Sequence, residues 1–276
     1  MKSTIGILII LHFLLAVPLE KTAAAANISY KIEMPDWKEV NQILPKYTKF
    51  TVLDVETGKK FKVQRRAGSH HADVQPLTAK DTSIMKKIYG GKWSWKRRAI
   101  IVIHKDHWIA ASMHGMPHGA GALKNNFPGH FCIHFYGSTT HRTNSMDLSH
   151  MLMVLKAGGK LNEYLAKATP YDIIYAYFTA FKQQDKRIVS KISLQKVNWK
   201  PILPQLEYIN LSRMEYLPPE DLTEEISLDV PVDVEWFNKT GRHFFRGEIH
   251  LVRFSPQDTW KVDSIHFLTE NNLLKQ

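Results

Sequence analysis

From Lys49 onward, apolar and polar residues alternate in short runs broken by turn residues, a pattern that excludes a helical bundle for this half of the chain. Phe50, Val52 and Val55 lead into Glu56-Thr57-Gly58-Lys59, and Phe61 and Val63 follow, so a hairpin with Gly58 in its turn is predicted. Residues 99–103 and 108–113 predict a second hairpin around His104 and His107. Helices interrupt the sheet at readable points. Thr78 and Asp81 have the spacing of a capping box, with Ile84 and Ile88 on the face that docks and Gly90-Gly91 as the stop. Asp147 similarly predicts a helix through Lys156, stopped at Gly158-Gly159.

The chain has one cysteine, so no internal disulfide contributes to its stability. Cys132 lies in the stretch 111–136 with His114, His118, His130 and His134. A lone cysteine is commonly a small core residue, but flanking imidazoles favour a reactive one. A thiol becomes a nucleophile when a neighbour takes its proton and N–H groups hold the oxyanion it creates. His114 falls at the end of a predicted strand and Cys132 in the next extended run, 131–135. The intervening 115–129 is rich in Gly, Asn and Pro and reads as a loop able to carry His114 back over Cys132. Rapid labelling of Cys132 by iodoacetamide is expected on this reading. Trp93 and Trp95, at period-2 spacing, form a candidate platform for sugar or peptide, with core packing expected for at least one. His71 and Asp73 are expected in a turn and its cap; a metal or substrate role is the alternative.

His114-Gly115 and Gly129-His130-Phe131-Cys132-Ile133-His134 resemble the motif of the L,D-transpeptidases of bacterial cell-wall synthesis: a first His-Gly, a loop of about fifteen residues, then Ser-His-Gly-Cys-Ile/Val-Arg or Asn. His, Cys and Ile match. Gly129 stands where that family prefers Ser or Thr, Phe131 where it has Gly, and His134 where it has Arg or Asn. The resemblance implies Cys132 as nucleophile, His114 as its base and His130 as a catalytic neighbour. It also implies a substrate pocket including His118, Gly129, Phe131, His134, Trp93 and Trp95, with no cofactor and no metal. The implied substrates are peptidoglycan stem peptides, through a thioester. Phe131 resists the positive φ that Gly allows before the nucleophile.

Met1-Lys2, an apolar run over 5–17 and the alanines at 23–26 predict a secretory signal over 1–26, cleaved or kept as a membrane tether. With export, the net charge of +11 suits anionic wall polymers rather than nucleic acid, and a cell-wall location is expected. Residues 27–47 read as a linker with room for one short helix, 48–157 as the β-rich L,D-transpeptidase-like domain, a mixed sheet sandwich with short helices, and 158–168 as a second linker. In 169–276, Thr169-Pro170-Tyr171-Asp172 starts a helix, and strands are predicted over 230–237, 244–254 and 260–267. That order resembles the α+β cone of nuclear-transport-factor-two-like domains. Two further functions fit the residues. One is a catalytically inactive binder of wall polymer. The other is a zinc-dependent wall peptidase drawing on His71, Asp73, His118, His130, His134 and Cys132, although no HExxH spacing is present.

Overall fold

A computed structural model of the chain describes residues 31–140, 145–217 and 222–274; the expected signal segment lies outside them. Helix α1 (Trp37–Ile43) comes first, with the Asp36 carboxylate accepting the Glu39 amide as its N-cap. Its Val40 and the following Leu44 are fully buried against the first sheet, so most of the described part of 27–47 is packed structure rather than linker.

Six strands follow: β1 (Lys49–Asp54), β2 (Lys60–Ala67), β3 (Ala72–Pro76), β4 (Arg98–His104), β5 (His107–Met113) and β6 (Phe131–His134). They close into a barrel in the order β1-β2-β3-β6-β5-β4, with every neighbouring pair antiparallel. A closed antiparallel barrel therefore stands where a mixed sandwich was expected; pairing β1 to β4 removes the free edges that a sandwich leaves. Alternation decides what fills it. Phe50, Val52, Phe61, Val63, Val74, Ile100, Val102, Ile109, Phe131 and Ile133 form the interior. Helix α2 (Ala79–Ile88), between β3 and β4, begins with the expected capping box of Thr78 and Asp81 and buries Met85 and Ile88 against the same core.

The outer faces of β4 and β5 are also apolar, and they carry the rest of the chain. Ala99, Ile101 and Ala110 pack into a second core with helix α3 (Leu148–Ala157). Residues 158–168, expected as a linker, contain helix α4 (Leu161–Lys167), whose Leu161 and Leu165 enter that core. Helix α5 (Pro170–Gln183) has the predicted capping box and Pro at its start, and it buries Ile173, Ile174, Tyr177, Phe178 and Phe181. Three short helical pieces follow, α6 (Lys186–Ile192), α7 (Trp199–Ile202) and a 3-10 turn (Leu203–Gln205). A four-stranded antiparallel sheet comes next: β7 (Tyr208–Met214), β8 (Ser227–Asn238), β9 (Gly241–Val252) and β10 (Lys261–Val262). The strand expected over 260–267 is two residues long, because Asp263 accepts the His266 amide and starts helix α8 (Ser264–Glu270). No helix among the described residues is long and apolar enough to cross a membrane.

Candidate active site

Register places the chemistry on the outside of the barrel. Phe131 and Ile133 point inward, so Cys132 and His134 point outward. Cys132 pairs with Asp73 across to β3, and His134 with Ser112 across to β5. Ala72 and Val74 are interior residues, which puts His71 and Asp73 on the Cys132 side. The expected turn and cap at His71 and Asp73 is therefore replaced by a bend running into β3. His150, in the first turn of α3, closes the inner side: its ring stacks on His134 with centroids 3.8 Å apart, and its Nδ1 is 2.9 Å from Ser112 Oγ. Asp147 fixes that turn by accepting the His150 amide.

The loop 115–129 does return over Cys132, but it delivers His118. His118 and His130 exchange two backbone hydrogen bonds, each 2.9 Å, and their rings are 4.4 Å apart. Gly129 makes this closure. Its φ is +120°, and a Cβ there would meet the His118 carbonyl oxygen at 2.5 Å. The left-handed residue of the motif is thus Gly129, while Phe131 sits in β6 with its ring against Phe61 and Phe127. The expected conflict at Phe131 does not arise, and its side chain lies in the barrel core rather than in a substrate pocket. Gln75, fully buried, ties the loop down by donating to the Gly129 carbonyl and accepting the Ala122 amide.

Cys132 Sγ is 3.4 Å from His118 Nε2 and 3.6 Å from Asp73 Oδ1. His71 Nε2 and His130 Nε2 lie 3.4 and 3.9 Å from that same Oδ1. Three of these rings share one orientation. Nδ1 of His71, His118 and His130 meets the carbonyl oxygen of Thr139, Met116 and Ala120 at 2.9, 3.2 and 3.1 Å. A carbonyl only accepts, so each Nδ1 carries a proton and each ring turns its Nε2 toward Cys132 and Asp73. His114 has the opposite tautomer, since its Nδ1 accepts the Met116 amide at 3.4 Å. No protein-family model matches this chain, and no curated protein matches it.

Burial governs the charges. It pushes the Cys132 thiol up, and Asp73 adds to that rise. Burial takes His114 down to about 3 and holds His134 and His150 well below the ordinary imidazole value. His118 is lowered by burial too, with its bond to the Met116 carbonyl opposing. Burial alone would raise Asp73, but hydrogen bonding and charge from His71, with His130 adding, leave it below the ordinary carboxyl value. At neutral pH the sulfur rests as a thiol, with His114, His118, His134 and His150 neutral. His134 Nδ1 is buried without a hydrogen-bond partner among the described residues.

The tryptophans separate. Trp93 packs edge-on against Phe127 as part of the core, whereas Trp95 is half exposed, with its ring 4.7 Å from His114 and 5.5 Å from His118. Trp95 opens onto a cavity of about 360 Å³ shared with Lys96, Arg97, Met116, Lys182 and Tyr208. The roles of His150 and His71 carry no motif in sequence. Only the register of β3, β5 and β6 and the docking of α3 bring His71 to the sulfur and His150 to the His134 ring.

Proposed function

We propose that this chain is an exported, cysteine-dependent acyltransferase of the L,D-transpeptidase type acting on peptidoglycan stem peptides, with the barrel as its catalytic part. The observation that carries this reading is the 3.4 Å contact between Cys132 Sγ and the lone pair of His118 Nε2, at the accessible side of the cluster. The resting thiol is not ionised, so its proton passes to His118 as the sulfur attacks a carbonyl carbon. The S–C bond forms, and the oxyanion collapses to a thioester. The C–N bond to the terminal D-Ala breaks, and the leaving amine takes the proton from His118. An acceptor amine then attacks the thioester carbon, a C–N bond forms as the C–S bond breaks, and the proton the amine loses passes through His118 to the departing sulfur. His114, whose neutral ring carries its proton on Nε2, is suited to donate to developing negative charge rather than to act as base.

The cavity at Trp95 is the proposed approach for substrate. Lys96, Arg97 and Lys182 complement the carboxylates of a stem peptide, and Trp95 and Tyr208 offer flat apolar contact. Residues from the second half of the chain take part there, giving that half a role in substrate binding. Its antiparallel sheet behind a leading helix supports the nuclear-transport-factor-two-like reading in layout alone.

The test is release of D-Ala from a stem tetrapeptide. Cys132→Ala is expected to abolish it with the circular dichroism spectrum unchanged, and His118→Gln to lower kcat by about 100-fold or more. His114→Gln is expected to cost less than His118→Gln; the reverse order would return the base to His114. Binding of wall polymer without turnover by the wild-type protein would support the inactive binder instead.

A further inference from the structure

We infer that Cys132, Asp73, His118 and His130 form a binding site for a divalent ion of the zinc class, through which such ions switch off the thiol. Three of the donor pairs already lie near coordination spacing. Metal bonds of 2.0–2.3 Å place tetrahedral donors roughly 3.3–3.6 Å apart. Here Sγ to His118 Nε2 is 3.4 Å, Sγ to Asp73 Oδ1 is 3.6 Å, and Asp73 Oδ1 to His130 Nε2 is 3.9 Å. Donor atoms of Asp73, His130 and Cys132 all lie within 4.8 Å of one another, as do those of His114, His118 and Cys132.

The rings are also oriented as ligands. His118 and His130 each hold a backbone carbonyl through Nδ1, which fixes the tautomer that presents Nε2 and restrains the ring plane. A base for one thiol needs one such imidazole. The second one aims its Nε2 at the Asp73 oxygen that also lies beside the sulfur, so one ion there meets thiol, carboxylate and imidazole together. Thiolate, imidazole and carboxylate together suit zinc rather than magnesium or calcium, which prefer all-oxygen shells. Both histidines are only partly buried, so the ion reaches the sulfur from solvent on their side. Binding forms the metal–sulfur bond and releases the thiol proton to solvent, which overcomes the environment that keeps Cys132 protonated.

The inference does not depend on acyl transfer, and it is tested without substrate. Co2+ titrated into the metal-free full chain is expected to give one saturating equivalent, a near-ultraviolet sulfur-to-cobalt band and visible bands of four-coordinate strength, all displaced by Zn2+. Cys132→Ser removes the sulfur band, and His118→Gln and His130→Gln each weaken binding by about 100-fold or more. The exposed set Asp229, Glu248 and His250 also has donor atoms within 4.8 Å of one another, so His250→Gln serves as the control and leaves the titration unchanged. Absence of the sulfur band in folded wild-type protein, or loss of the bound cobalt in the His250→Gln variant, would overturn the site. D-Ala release by metal-free protein reports separately on the acyl-transfer reading; where both hold, Zn2+ inhibits turnover at the concentration that displaces Co2+.

Discussion

At the scale of single residues, the sulfur is the clearest departure from expectation. Burial and Asp73 hold Cys132 as a thiol, so iodoacetamide should label the resting protein more slowly at pH 7 than a free thiol, with a pH profile displaced upward from the ordinary thiol value near 8.5. Labelling at pH 7 faster than a free thiol would mean that the site ionises its cysteine without help. Gly129 gives a second test. Its φ of +120° and the 2.5 Å approach of a hypothetical Cβ to the His118 carbonyl leave no room for a side chain. Gly129→Ala is expected to cost about 1–3 kcal/mol in urea unfolding and to separate His118 from His130, lowering D-Ala release with it. Cys132, His118 and His130 were legible because they crowd one stretch of sequence. His71 and Asp73 were legible as a candidate pair but not as neighbours of Cys132, and His150, 18 residues beyond it, carried no signal; strand pairing and helix docking bring all three into the site.

At the scale of elements, local signals located starts and stops well. Thr78, Asp147 and Thr169 cap the helices they were expected to cap, because a side-chain oxygen meeting a free amide is decided within four residues. Helices α6 and α7, and strand β7, lacked such clear periodicity and emerge only as packing against α5 and β8. One polar network ties these parts together. Lys156 of α3 reaches Glu56 at 2.6 Å and pairs with Asp185 after α5, while Arg98 of β4 bonds Asp54 at 2.6 Å and Glu56 at 3.2 Å. Lys156 and Asp185 are almost wholly buried, so removing one leaves the other uncompensated. Lys156→Met is expected to cost about 3–5 kcal/mol, measured by denaturant unfolding, whereas a change under 1 kcal/mol would show that water reaches the pair.

At the scale of the whole molecule, the buried histidines couple folding to pH. His114, His134 and His150 stay neutral in the folded chain while their unfolded counterparts take up protons near pH 6.5. The unfolded state therefore binds more protons below pH 6.5, and stability falls as pH drops through that value, by about 1.4 kcal/mol per pH unit for each group until its folded pKa is reached. His150→Gln should flatten the dependence between pH 6 and 5 by about that amount; an unchanged slope would show that His150 is already protonated in the native state.

The alternation along β3 and β6 has a consequence for how such a chain can change over generations. Side chains that hold the barrel shut and side chains that face the sulfur occupy opposite surfaces of the same strands, one position apart. Mutational drift inside the barrel can proceed with little effect on reactivity, and ligands on its outer surface can be exchanged with little effect on the lining. A single inserted residue in β6 would swap the two sets at a stroke, so this short strand should tolerate many replacements and almost no change of length.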